Sequence, residues 1–177
     1  MTTTYRTLRS PIGLLTLAGS DGVLHHVRME HQSHPPADQP RWRHDPHSYD
    51  VVVDQLGEYF SGTRKVFDVA CSATGTAFQE LVWGALRTIP YGTTRTYGEV
   101  AEQIGRPRAA RAVGLANGRN PLGIIVPCHR VIGANGSLVG YGGGLDRKQT
   151  LLRLEEAALA AKKETESTRR TSSGARI

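Results

Sequence analysis

Ile125-Val126-Pro127-Cys128-His129-Arg130-Val131-Ile132-Gly133 is the stretch on which the reading of the whole chain turns. It sets one of two cysteines directly beside a histidine, after β-branched residues and a proline. A thiol next to a possible base is a nucleophile candidate. Free cysteine is also a common small core hydrophobe, and neighbours in an extended segment face opposite sides. The dipeptide therefore takes its meaning from what surrounds it.

Immediately upstream the chain reads as helical. Thr76-Ala77-Phe78-Gln79 has the form of a capping box, and Phe78, Leu81, Val82, Ala85 and Leu86 make one apolar face, ended by Pro90-Tyr91-Gly92. A second box, Thr96-Tyr97-Gly98-Glu99, opens a short helix through Ile104, which Gly105 closes. Pro107 suits the first turn of a third helix, Arg108 to Ala116, broken by Asn117-Gly118-Arg119-Asn120-Pro121. Two short helices joined by a glycine turn, the second small-faced and carrying Arg108 and Arg111, match a helix-turn-helix. An antiparallel helix pair with arginine on its wet face matches equally, and the net positive charge tips the balance toward DNA.

Downstream, Asn135-Gly136 marks a turn and Tyr141-Gly142-Gly143-Gly144 a glycine-rich loop able to bring backbone amides close to a ligand. Leu145 to Leu159 reads as the last helix. From Lys162 to Ile177 hydrophobic residues almost vanish, and a disordered basic tail is expected.

The amino-terminal half reads differently. Tyr5–Leu8, Gly13–Leu17 and Val23–Met29 alternate as a meander, with turns at Pro11-Ile12-Gly13 and Ser20-Asp21-Gly22. Residues 31–47 collect histidines and prolines as a connecting loop. Histidine invites metal, but no cysteine or fixed-spacing carboxylate joins these, so no metal site is expected. Val52, Val53, Leu56, Tyr59 and Phe60 fall at helical spacing before Gly62, and Phe67–Ala70 reads as a further strand ending at Cys71. The expectation is an α+β protein: a structural domain over 1–72, a mostly helical domain with the helix-turn-helix over 76–161, and the tail 162–177.

Lys plus Arg number 22 against 16 Asp plus Glu, a net +6, with a sequence pI near 9.7. That balance favours a polyanionic partner. Cys71 and Cys128 make neither a disulfide framework nor a zinc knuckle, which suits a reducing compartment. Met1 to Arg6 has no apolar core of a signal peptide, and no membrane-length apolar run is present. A soluble cytoplasmic protein is expected.

Taken in order, a helix-turn-helix, an Asn-Pro turn, Pro-Cys-His-Arg-Val and a glycine loop resemble the O6-alkylguanine-DNA alkyltransferases (methylated-DNA–protein-cysteine methyltransferases). The likeness is dense from Phe78 to Glu155 and looser before it. It implies an RNase H-like amino-terminal domain and direct-reversal repair. The protein would flip O6-alkylguanine, or O4-alkylthymine, out of double-stranded DNA and move the alkyl group irreversibly onto Cys128, one base per molecule and with no cofactor.

By position, His129 would be the base acting through a water, and Glu155 would orient it. Asn120 would brace the turn before the cysteine, and Tyr97 would donate to guanine N3 and crowd a phosphate. Arg111 would fill the vacated stack, with Arg108, Ala109 and Ala110 along the minor groove. Backbone groups of Cys128 and Val131 would take the guanine amine, and Tyr141, Gly142 and Gly143 would complete the base pocket. Where Gly142 stands the family often has serine. The zinc-binding cysteines of some members are missing here. A monomer is expected, with cooperative assembly on DNA as an alternative.

Overall fold

The computed structural model describes residues 2–173. Three antiparallel strands, β1 (Thr4–Ser10), β2 (Gly13–Ser20) and β3 (Val23–Met29), form the meander. In register Thr7 lies opposite Thr16 and Leu17 opposite Val27, the turns close at Ser10↔Gly13 and Ser20↔Val23, and the two-residue strand β4 (Arg43–His44) adds to β1 in parallel. Sheet order is β3-β2-β1-β4. One face carries Leu15, Leu17, Leu24 and Val27, all without solvent exposure, as period-two alternation requires. Helix α1 (Asp50–Phe60) follows and buries Val52, Gln55, Leu56 and Tyr59.

The expected strand at Phe67–Ala70 is not formed. Only Cys71 makes a bridge, to Leu24. The segment is held at its end by β3, where Leu24 N–H donates to Ala70 O at 2.9 Å, and at its middle by Gln55, whose carboxamide pairs with both backbone groups of Asp68 at 2.8 Å.

Both capping boxes form. Thr76 and Gln79 open α2 (Ala77–Arg87), and Thr96 and Glu99 open α3 (Tyr97–Gln103). Gly105, at φ +70°, reverses the chain in the left-handed region that favours glycine. Helix α4 then runs Ala110–Gly118, starting and ending about two residues later than the sequence suggests. Trp83 of α2 donates its indole N–H to the Ala116 carbonyl at 2.9 Å, fixing α4 on the core.

The two halves share one hydrophobic cluster, from Leu15 and Tyr59 to Val113 and Leu151. They also exchange backbone bonds: Val27 N–H donates to Pro121 at 2.8 Å, beside a Val27↔Leu122 bridge. The segment that leads to Cys128 is thus pinned to the amino-terminal sheet.

The last helix, α5, extends over Leu145–Ser173, well past the expected end at Leu159 and into the segment expected to be disordered. Its first part docks through Leu151, Leu154 and Glu155, whereas from Ala160 to Arg169 every residue is exposed. Continuation follows from composition: no Gly or Pro interrupts Leu145–Ser173, and Ala, Lys, Glu and Arg are strong helix formers. Residues 174–177 of that segment lie outside the described residues. Among those described, no helix is long and apolar enough to cross a membrane.

Candidate active site

Cys128 opens a single 3-10 turn, Cys128–Arg130, rather than lying in a strand. Strand β5 (Arg95–Thr96), just before Tyr97, pairs in parallel with β6 (Val131–Ile132), just after that turn, and so sets Tyr97 beside the cysteine segment. Asn120 braces the approach from both ends: Nδ2 donates to Val126 O at 2.8 Å, and Oδ1 accepts from Leu122 N–H at 3.0 Å. Inside this brace Ile124 is held at φ +71°. For a β-branched residue that is a strained conformation, and it persists because the loop is tied at both ends and Ile124 is buried.

Cys128 is 5% exposed, and burial pushes its thiol above the ordinary range, against smaller pulls from Asn120 and Lys148. His129 has no exposure. Its Nε2 lies 2.7 Å from Glu155 Oε1, while Nδ1 is buried with no protein partner among the described residues. Burial lowers the imidazole pKa, although Glu155 pulls it back up. A carboxylate only accepts, so Nε2 carries the proton and Nδ1 is left as a free acceptor.

Glu155 is itself saturated. Burial raises its carboxyl, but His129 and Arg130 outweigh that and hold it down to about 2. Arg130 donates from Nε and Nη2 at 2.9–3.2 Å, Gly92 N–H adds 2.9 Å, and the Tyr59 phenol adds 2.7 Å. With His129 neutral, Arg130 is the counter-charge. The arrangement can hold a neutral imidazole rigidly and let it accept a proton from the thiol's side.

Around the sulfur lies a narrow cleft lined by Met29, Asn117, Cys128, Tyr141, Gly142 and Gly143 among others. Burial raises the pKa of Tyr97 to about 12 and that of Tyr141 well above its ordinary value, so both stay phenols. Tyr97 donates to Val139 O at 2.8 Å, at the edge of the glycine strap. A Cβ on Gly142 would stand 3.1 Å from Gly118 O, so a serine at this position would need a shift of a few tenths of an ångström. Val131 does not line the cleft; it is fully buried on β6.

On the outer face, Arg108 and Arg111 are exposed with Ala112 and Leu115, while Ala109 and Ala110 are half-buried. Among the described residues no side chain caps the α4 amino terminus, which leaves its first amides for water or an anion. Among the described residues no group of three or more His, Cys, Asp or Glu could hold a metal.

Three participants escape a reading of the sequence. Tyr59 sits on the apolar face of α1, where a phenol in place of phenylalanine signals a buried partner. Arg130 is buried although charged, and so is Lys148, which has no exposure. Lys148 donates to Val139 O at 2.8 Å between the rings of Tyr97 and Tyr141, and burial lowers its pKa to about 8.

Comparison with known proteins gives a consistent result. Residues 77–157 match the family described as 6-O-methylguanine DNA methyltransferase, DNA binding domain, and residues 3–72 match its ribonuclease-like domain. The methylated-DNA–protein-cysteine methyltransferase of Mycolicibacterium paratuberculosis is 62% identical over 151 residues, 85% of this chain and 91% of that one. The crystal structure of Mycobacterium tuberculosis OGT in complex with DNA is similar at TM-score 0.85 and 58% identity, over 88% of this chain and 94% of that one. An O6-methylguanine DNA methyltransferase from Methanococcus jannaschii follows at TM-score 0.59 and 27% identity, over 85% and 93%.

Proposed function

Because the chain belongs to the 6-O-methylguanine DNA methyltransferase family, it is a DNA-binding enzyme of direct-reversal repair that moves an alkyl group from DNA to a cysteine, and we propose that this cysteine is Cys128. One observation carries the assignment: Cys128 adjoins a buried, neutral His129 whose Nε2 is committed to Glu155 and whose Nδ1 is free to accept.

His129 Nδ1 takes the thiol proton through one water, and the thiolate attacks the alkyl carbon on O6. The S–C bond forms as the C–O6 bond breaks, the electron pair passes to the guanine ring, and the proton that left sulfur ends on guanine. Products are a thioether and restored guanine. A thioether is not readily hydrolysed, so each molecule acts once, and no cofactor enters the balance.

Burial raises the thiol pKa, which keeps Cys128 protonated until the base draws the proton away. Tyr97 stabilises the departing ring by donating to N3, which requires it to leave Val139 O. The cleft is narrower than a base, so the glycine strap that Tyr97 and Lys148 hold at Val139 yields as the base enters. The target atom is hidden in a duplex, so the nucleotide flips. Arg111 takes its place in the stack while α4 lies in the minor groove, where small residues permit close approach and little sequence is read. O4-alkylthymine is a further substrate. The protein acts as a monomer in the cytoplasm, and 1–72 serves as the structural domain behind 76–161.

Intact mass spectrometry after incubation with a methylguanine duplex tests this. A gain of one methyl group, absent in Cys128→Ala, is expected. Normal binding without a mass change would instead make the protein a damage-binding module, and repeated turnover would make it a hydrolase.

A further inference from the structure

We propose that Asn117 reads the exocyclic amine of the flipped base, and thereby sets the preference of this protein for alkylated guanine over alkylated bases that lack that amine. The inference rests on the alkyl-transfer reading above and extends it to a residue of the pocket wall.

Asn117 lies in the last turn of α4 and is 2% exposed. It faces the same narrow cleft as Cys128, Gly142 and Gly143. Its Nδ2 donates to the Cys128 carbonyl at 3.3 Å. That carbonyl can only accept, so the carboxamide cannot be turned the other way. Oδ1 is left buried, with no hydrogen-bond partner among the described residues. A buried acceptor without a donor is costly, and buried polar atoms are generally satisfied by protein, water or ligand.

The bases differ in what they bring to such an acceptor. Alkylation at O6 fixes guanine in the form without N1–H, so its 2-amine is the one strong N–H donor left on the ring. Alkylation at O4 removes N3–H from thymine and leaves no ring N–H donor. The Cys128 carbonyl already accepts from Asn117 Nδ2 and the Val131 N–H, so the cleft offers guanine its match at Asn117 Oδ1. It offers thymine an acceptor, Asn117 Oδ1, that stays unmatched. Sites built to hydrogen-bond a donor discriminate strongly against analogues that lack it, because the site's own polar groups are stranded. Asn117 also shares α4 with Arg111, so one short helix presents an exposed arginine to the duplex and a buried amide to the base taken from it.

The decisive comparison is single-turnover methyl transfer from duplexes carrying O6-methylguanine, O6-methylhypoxanthine, which differs only by lacking the 2-amine, and O4-methylthymine. Wild-type protein is expected to favour methylguanine over methylhypoxanthine by about tenfold or more. In Asn117→Leu, which keeps the branching at Cγ and removes the acceptor, that ratio should fall to within about twofold, and the ratio to methylthymine should fall in parallel. Equal losses on all three duplexes, with the ratios intact, would overturn the proposal and leave the Cys128 carbonyl as the reader. If Asn117→Leu does not fold, Asn117→Met provides the same ratios. Failure of wild-type protein to transfer from O6-methylguanine would instead overturn the alkyl-transfer reading itself.

Discussion

The Tyr59 phenol donates to Glu155 Oε1 at 2.7 Å, joining a helix of the amino-terminal half to the carboxylate that holds His129. Both side chains are without exposure, and burial together with the Glu155 charge keeps the phenol protonated. Hydrogen bonds to buried charges contribute about 1.5–3 kcal/mol. Tyr59→Phe should therefore lower stability by about 2 kcal/mol, read by urea unfolding. It should also slow methyl transfer several-fold with duplex affinity unchanged. Unaltered transfer would confine Tyr59 to a structural role.

Acid should weaken the fold in two stages. The His129 pKa is lowered in the folded protein, so the unfolded chain binds the proton more readily. Its contribution is complete above about pH 6.5 and is lost as pH falls below that. Glu155 is held at about 2 against an ordinary 4.5, so its contribution is complete above about pH 4.5 and is lost between 4.5 and 2. Thermal melts should be flat above neutrality, decline from about pH 6.5, and steepen below 4.5. Transfer should persist through pH 6.5, since the buried imidazole stays neutral there; half-loss at 6.5 would mean that His129 titrates as a free side chain.

Arg111 is exposed at the start of α4, and its proposed work is done only in a stacked duplex. Arg111→Ala should slow transfer from duplex methylguanine far more than transfer from free O6-benzylguanine. Similar losses on both would remove the intercalating role. Arg108→Ala should instead weaken binding to every duplex and lower the salt slope by about one.

Ending the chain after Thr165 should change stability by less than about 0.5 kcal/mol and leave transfer untouched, because the removed stretch of α5 is solvent-exposed where its side chains are described. Denaturant midpoints and single-turnover rates of the full and shortened chains provide the check.

Local signals were legible and distant ones were not. The boxes at Thr76 and Thr96 are written within four residues and formed as read. The meander follows from alternation, and the Cys128 segment from its order among neighbouring motifs. Phe67–Ala70 misleads because its apolar spacing is that of a strand, while the backbone of Asp68 pairs with the Gln55 side chain and only Ala70 meets β3. The exposed end of α5 has the polarity of a disordered tail and the propensity of a helix, and polarity alone does not separate the two. Tyr59, His129 and Glu155 meet across separations of 70, 26 and 96 residues, and nothing local announces such a meeting. Asn117 reads as a helix breaker, since its neighbours Gly118, Asn120 and Pro121 are; only burial shows that it faces the cleft.

The carboxylate on α5 collects donors from Tyr59, Gly92, His129 and Arg130, four residues from three separate parts of the chain. No fragment that stops short of Glu155 can assemble that set. A growing polypeptide that has not yet reached Glu155 carries Cys128 and His129 without the carboxylate that fixes the imidazole, so alkyl transfer from DNA waits for the last helix. Competence arrives last, when α5 docks, so the protein's armament is itself a proofreading of its own completion.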